Sequence, residues 1–248
     1  MLLDNELGGS ISMNTTRREV SNQAANTTGL SKFFASIYIY MALGLSITGI
    51  TAFYASQSPF ILNLVFGTRF GMLAFFIAEI ALVMKLASNG AKLRSAGASI
   101  IGFIIFAIIN GITLSSIFLM YDLGSIGAAF ISTAASFAGM SLVGFTTKKD
   151  LTSLGGQLRG ALIGLIIAML VNGIFLQSGP ADMVLSFITV IIFIGFTAYD
   201  TQKLKELYAR YSGEQNLGAL AISGALSLYL DFINIFIGLL RIFGGGRD

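Results

Sequence analysis

The chain has 248 residues, 55% hydrophobic and only 11% charged, against about 25% charged in an ordinary soluble domain; so little polar surface cannot cover a globule in water, and its solvent is largely lipid. It has no Cys and no His, which excludes disulfides and thiolate metal sites, removes the usual neutral-pH switch, and leaves carboxylates to carry any proton chemistry. The net charge of +3 comes from 15 basic and 12 acidic residues scattered among short loops, without the basic patch of a nucleic-acid binder.

Residues 1–31 are polar, rich in Asn, Thr and Ser, and lack the apolar core of a signal peptide. They read as a loosely ordered or disordered cytoplasmic tail ahead of a membrane domain covering residues 32–248. Seven apolar runs follow, at about Phe33–Tyr54, Phe70–Ala87, Ala98–Met120, Ile126–Thr146, Leu158–Leu176, Met183–Tyr199 and Leu217–Ile242. Each approaches the roughly 20 residues a helix needs to cross the hydrocarbon core. The runs are continuous, not alternating, which excludes a membrane β-barrel. Turn residues mark the links, as in Gln57-Ser58-Pro59, Ser88-Asn89-Gly90 and Gln177-Ser178-Gly179-Pro180. The expected fold is an all-α membrane protein, a seven-transmembrane helix bundle. A six-span arrangement with a re-entrant last segment stays open, because that segment carries Asp231 and Asn234.

Basic residues orient the bundle. Arg17, Arg18 and Lys32 precede the first span. Lys85, Lys92 and Arg94 lie between the second and third, Lys148, Lys149 and Arg159 between the fourth and fifth, and Lys203, Lys205 and Arg210 between the sixth and seventh. The opposite side keeps Arg69, Arg241 and Arg247. By the positive-inside rule the N-terminus is cytoplasmic and the C-terminus outside. Glycines inside the spans, among them the Gly160 and Gly164 pair, read as close packing within the bundle ahead of a dimer motif.

Three acids lie in or at the edge of spans: Glu79, Asp200 and Asp231. Ionisable residues at such depth face the bundle interior or a water path. Asp231 is ~20 Å along the last span. Asp200 lies a turn or two inside the surface if the sixth helix continues through Leu204, Leu207, Tyr208 and Tyr211, which recur at helical spacing. Sequential antiparallel helices are neighbours, so the two carboxylates are expected to meet. In a low dielectric both cannot ionise cheaply, and a shared proton makes a histidine-free pH sensor. The same oxygens are a tentative Ca2+ site, short of the usual six to eight ligands; waters, backbone carbonyls or Asn234, one turn after Asp231, would supply the rest. The plainer reading of Asp200, a helix cap, is weakened because an acid at a helix C-terminus opposes the dipole. Glu79 and Arg241 are expected to form an outer salt bridge, either structural or a gate. No phosphate loop, serine triad or zinc pattern is present, so no enzyme activity and no cofactor are expected.

The runs Gly195-Phe196-Thr197-Ala198-Tyr199-Asp200-Thr201-Gln202 and Leu226-Ser227-Leu228-Tyr229-Leu230-Asp231-Phe232-Ile233-Asn234-Ile235-Phe236, with Leu239-Leu240-Arg241-Ile242-Phe243-Gly244 and Thr146-Thr147-Lys148-Lys149-Asp150-Leu151, resemble the Bax inhibitor-1 family, bacterial branch. The resemblance covers essentially all the spans and leaves out the polar tail. It implies six helices around a central seventh, and a pH-sensitive Ca2+ leak governed by aspartates that match Asp200 and Asp231. The family's second-helix glutamate matches Glu79, and the arginine ten residues past the second aspartate matches Arg241. A basic latch residue falls in Ser88-Asn89-Gly90-Ala91-Lys92-Leu93-Arg94, with Lys92 and Arg94 as candidates.

Two functions are therefore expected. The first is a calcium leak channel of the bacterial inner membrane, its partners being the bilayer, Ca2+ and H+. The alternative is a non-transporting regulator, associated with a membrane protease or of the cell-death-suppressor type, whose intramembrane acids are structural.

Overall fold

A computed structural model describes the backbone of residues 3–68, 70–87, 96–212 and 217–244, and side chains from residue 27 onward within those ranges. No strand occurs among the described residues. Helix α1 runs Leu3–Ser56, so helical backbone passes through the stretch expected to be a loosely ordered tail. The chain's two prolines are Pro59 and Pro180, and neither interrupts α1. Among the residues with described side chains, its stretch Thr27–Ser56 is long and apolar enough to cross a membrane.

The link after α1 holds a helix that hydropathy missed. Ser58 caps α2 (Pro59–Phe66) by accepting from the Ile61 amide, with Pro59 in the first turn. Its eight residues are too few to span, which is why the segment reads as a loop. Helix α3 (Gly71–Ala87) follows at a bend of 83° to α2. Next come α4 (Ala96–Thr113), a 3-10 turn at Leu114–Ser116, and α5 (Ile117–Met120), together one span. Then follow α6 (Leu123–Thr146), α7 (Thr152–Val171) with a π-helical end at Asn172–Leu176, α8 (Gly179–Tyr211) and α9 (Leu217–Phe243). Among the described residues six helices are long and apolar enough to cross a membrane, and the bent α2–α3 pair makes up to seven. The last segment is one unbroken helix of 27 residues, not a re-entrant one; the broken element is the second.

Side-chain caps set the helix starts. Asp122 opens α6 by accepting from the Ser125 amide at 2.9 Å and the Ser125 hydroxyl at 2.7 Å. These two bonds hold its exposed carboxyl below the usual aspartate range. Ser178 caps α8. The α7–α8 turn is closed by the buried Asn172, whose amide donates to Asp182 Oδ1 at 2.7 Å and to the Ser178 carbonyl, while the Ser178 amide donates back to Asn172 Oδ1. Gln177 takes the left-handed backbone, φ 47°, that ends the π turn.

Helix α9 is the centre. Two thirds of its spanning stretch (67%) is buried, against 39% or less for the other spans. It packs on α1, α4, α6 and α8, and α7 lies outermost, seated mainly on α8 through Leu158, Leu165, Leu185, Ile192 and Phe196. Large apolar side chains such as Ile131, Phe175 and Ile191 face outward, as lipid requires. Where apolar burial gives no driving force between helices, close backbone approach does. Gly144 of α6 lies so near Ala198 of α8 that an added Cβ would fall on the Ala198 carbonyl oxygen. The Gly160 and Gly164 pair does not act this way: a Cβ on either meets nothing within 4 Å, so this pair is not a packing seam among the described residues.

Candidate functional site

The face of α9 that bears Asp231 is turned to α8. Gly224 and Gly238 stand seven residues, about two turns, to either side of Asp231. The first meets Leu204 of α8, the second Val190 and the Ser186 carbonyl. This antiparallel register sets Asp231 level with about Thr197 and puts Asp200 roughly one turn, ~4.5 Å, farther along. The two acids are thus neighbours offset by a turn. Asp200 is the charge that acts on Asp231, and no hydrogen bond joins them among the described residues.

Their surroundings differ. Asp231 is 4% exposed and its Oδ2 is buried with no hydrogen-bond partner among the described residues. Asp200 is half-buried, and the exposed Lys203 and Arg159 act on it electrostatically. One turn from Asp200, a polar vestibule of about 200 Å3 is lined by Tyr199, Gln202, Lys203, Glu206 and Arg210, among others. The pair therefore has a partly buried member close to a polar vestibule and a sealed one. An ionised carboxylate sealed without a donor is costly; Asp231 calls for a proton, a cation or a mobile water.

The residues around Asp200 fix α8 against its neighbours. The Thr201 hydroxyl donates to the Thr197 carbonyl at 2.7 Å and shares a 3.1 Å hydrogen bond with Ser141 of α6, which in turn bonds Tyr38 of α1. Gln202 binds the α6–α7 link at two points, accepting from the Leu151 amide and donating to the Lys149 carbonyl, both at 2.8 Å. Lys205 donates to the Phe145 carbonyl at 3.0 Å. In that link the exposed Asp150 accepts from Thr152, side chain first and then its amide at 2.8 Å, which holds its carboxyl below the usual range.

The other expected residues fall elsewhere. Glu79 is half-buried on α3 and accepts from the Thr113 hydroxyl of α4 at 2.8 Å. Arg241 is exposed in the last turn of α9, and among the described residues no ion pair joins it to Glu79. In place of the expected outer salt bridge, the structure gives Glu79 a bond to α4. Asn234 turns back on its own helix, its amide donating to the Leu230 carbonyl at 2.8 Å. Lys92 and Arg94 lie outside the described residues. No group of three or more His, Cys, Asp or Glu able to hold a metal occurs among the described residues, so any Ca2+ at the pair meets two carboxylates and needs other oxygens.

A second polar cluster, on the opposite side of α9, was not anticipated. The fully buried Tyr229 hydroxyl donates to Asn110 Oδ1 of α4 at 2.9 Å and shares a 2.6 Å bond with Thr48 of α1, whose hydroxyl also reaches the Ala107 carbonyl. Thr113, one turn past Asn110 on α4, bonds Glu79, so α4 links the cluster on α1 and α9 to α3. The phenol ring sits edge-on to Phe103 and Phe106, each at 5.6 Å. An amide inside an apolar run, Asn110, was the visible signal for it.

Comparison with known proteins follows the same residues. The family model described as "Inhibitor of apoptosis-promoting Bax1" matches residues 30–248. The chain is 44% identical over 226 residues to the inner membrane protein YbhL of Escherichia coli strain K12, covering 88% of this chain and 94% of that one. It is 40% identical over 217 residues to an uncharacterized membrane protein of Streptococcus pyogenes serotype M3, covering 87% and 93%. A Caulobacter vibrioides protein is 39% identical over 228 residues, covering 89% and 91%.

Proposed function

Because the chain belongs to the Bax inhibitor-1 family, we propose that it is a multi-pass protein of the bacterial inner membrane that leaks Ca2+ under proton control, with Asp200 and Asp231 as the sensor. The observation that carries this reading is the sealed Oδ2 of Asp231, unpartnered among the described residues, beside a half-buried second acid. With one proton on the pair, Asp231 rests in its dry position and α8 stays packed on α9. When that proton leaves, two like charges one turn apart in a low dielectric repel. Separation of α8 from α9, entry of a divalent cation, or both relieve the repulsion. The vestibule beside Asp200 is the entrance, and the positive-inside reading of the twelve basic residues in the sequence supports a cytoplasmic entrance with the C-terminus outside.

The test is Ca2+ flux into dye-loaded liposomes across pH 5 to 8. Wild-type flux should rise with pH. Asp231→Asn, unable to ionise, should lose the pH dependence, and Asp200→Asn should flatten it. Flux that is absent, or indifferent to pH and to both substitutions, would sink the channel reading and leave the regulatory alternative.

A further inference from the structure

Helices α1 and α6 both pack on α9, but little on each other. A cavity of about 700 Å3 lies between them and opens sideways. Its walls include Tyr38 and Ala42 of α1 and Ala134, Ala138 and Ser141 of α6; Phe232 of α9 lies at its base. The small alanines keep the groove open, and its lining is almost wholly apolar. In a bilayer such a groove does not stay empty, since hydrocarbon regains there the dispersion contacts that a void forfeits.

One end of the groove is basic. The rings of Phe34 and Phe145 meet edge-on at 5.1 Å there. Lys32, one residue beyond the lining Ser31, is exposed, and so are Lys148 and Lys149, just past the end of α6. The nearby acid, Asp150, is engaged at the start of α7 by the Thr152 amide. Lys205 is also held, its ammonium on the Phe145 carbonyl and 5.3 Å from that ring's centre. An apolar slot flanked at one end by three exposed lysines, none of them in an ion pair among the described residues, matches an amphiphile with a long tail and a negative head.

We propose that the α1–α6 groove binds an anionic phospholipid, one acyl chain lying against Phe232 and the phosphate resting among Lys32, Lys148 and Lys149. The site does not depend on ion conduction, yet it touches the acid pair from both sides. The acyl chain meets Phe232, next to Asp231. It also meets Ser141, whose hydroxyl bonds Thr201, next to Asp200.

Native mass spectrometry of the full chain, offered equal phosphatidylglycerol and phosphatidylcholine of matched acyl length, tests this. Wild type should retain the anionic lipid in preference, by about five- to tenfold. Ala138→Phe, which fills the groove, should lose most retained lipid. The triple variant Lys32→Gln, Lys148→Gln, Lys149→Gln changes only exposed side chains and should keep a bound lipid without head-group preference. Equal retention of both lipids by wild type, undiminished retention by Ala138→Phe, or a preference that survives in the triple variant would each overturn the proposal. If Ala138→Phe fails to fold, Ala134→Leu and the triple variant decide.

Discussion

Tyr229 and Asp231 stand two residues apart on α9 and point to opposite sides of it, a separation of about 200° around the helix. Tyr229 is tied into α1 and α4 by Thr48 and Asn110. Asp231 faces α8 and feels Asp200, with one oxygen unpartnered. The central helix therefore has a satisfied polar side and an unsatisfied one, which sets different roles for the two halves of the bundle.

Removing the Tyr229 hydroxyl tests the satisfied side. Tyr229→Phe leaves the ring among Phe103 and Phe106 but strands Asn110 and Thr48 without it. The expected loss is about 1 kcal/mol, since hydrogen bonds between membrane helices are individually modest. Thermal unfolding in detergent reads this. Ca2+ flux by Tyr229→Phe should keep its pH dependence, because the acid pair is untouched.

The partner of Glu79 is decided by double-mutant cycles. Glu79→Gln with Thr113→Val should show a coupling of about 0.5–1.5 kcal/mol, because the two share a 2.8 Å bond. Glu79→Gln with Arg241→Gln should be additive within about 0.3–0.5 kcal/mol. Coupling in the second cycle and none in the first would restore the outer salt bridge read from the sequence.

Close approach between α6 and α8 makes Gly144 intolerant. In Gly144→Ala the new methyl would meet backbone, the Ala198 carbonyl, which cannot swing aside. A destabilisation of about 1–3 kcal/mol is expected. Gly164→Ala has open space around it, so it should stay within about 0.5 kcal/mol of wild type. Unfolding midpoints of the two variants, measured side by side, separate a helix contact from a lipid-facing glycine.

At the α5–α6 turn the pH dependence has a definite sign. Ser125 bonds favour ionised Asp122, so its native value lies below that of the unfolded chain, about 3.9. The cap's contribution is complete above the unfolded value and is lost as pH falls through the native one. Asp122→Ala should therefore lower the unfolding midpoint at pH 7, and the difference from wild type should shrink in acid. A gap that stays constant down to pH 2 would rule the ionised cap out.

Legibility in the sequence followed the solvent. Lipid demands long apolar runs, so the spanning helices stand out, and it penalises charge, so Asp200 and Asp231 do too. Hydropathy is blind to what lies around a helix axis. It placed Glu79 and Arg241 at compatible depths but could not see that Glu79 faces α4. It also could not rank the runs by burial, because the outermost α7 and the central α9 are both apolar; the centrality of α9 came from family resemblance alone. Helix α2 was hidden because Pro59 reads as a turn while also serving as a good first helical residue. Tyr229, Thr48 and Thr113 are unremarkable inside apolar runs, and only three-dimensional packing brings them together.

The two hydrogen bonds of Gln202 bear on how the pair can move. They lie two residues past Asp200 and grip both the Lys149 carbonyl and the Leu151 amide. A shift of α8 at Asp200 that preserves them drags residues 149–151 along, and with these the adjoining ends of α6 and α7. A backbone shift of α8 beside the acid pair is therefore shared with the α6–α7 link. The end of α6, the start of α7 and the Asp200 turn of α8 are thereby coupled through one side chain, so any displacement of α8 against α9 at the acid pair is collective and Gln202 sets its stiffness.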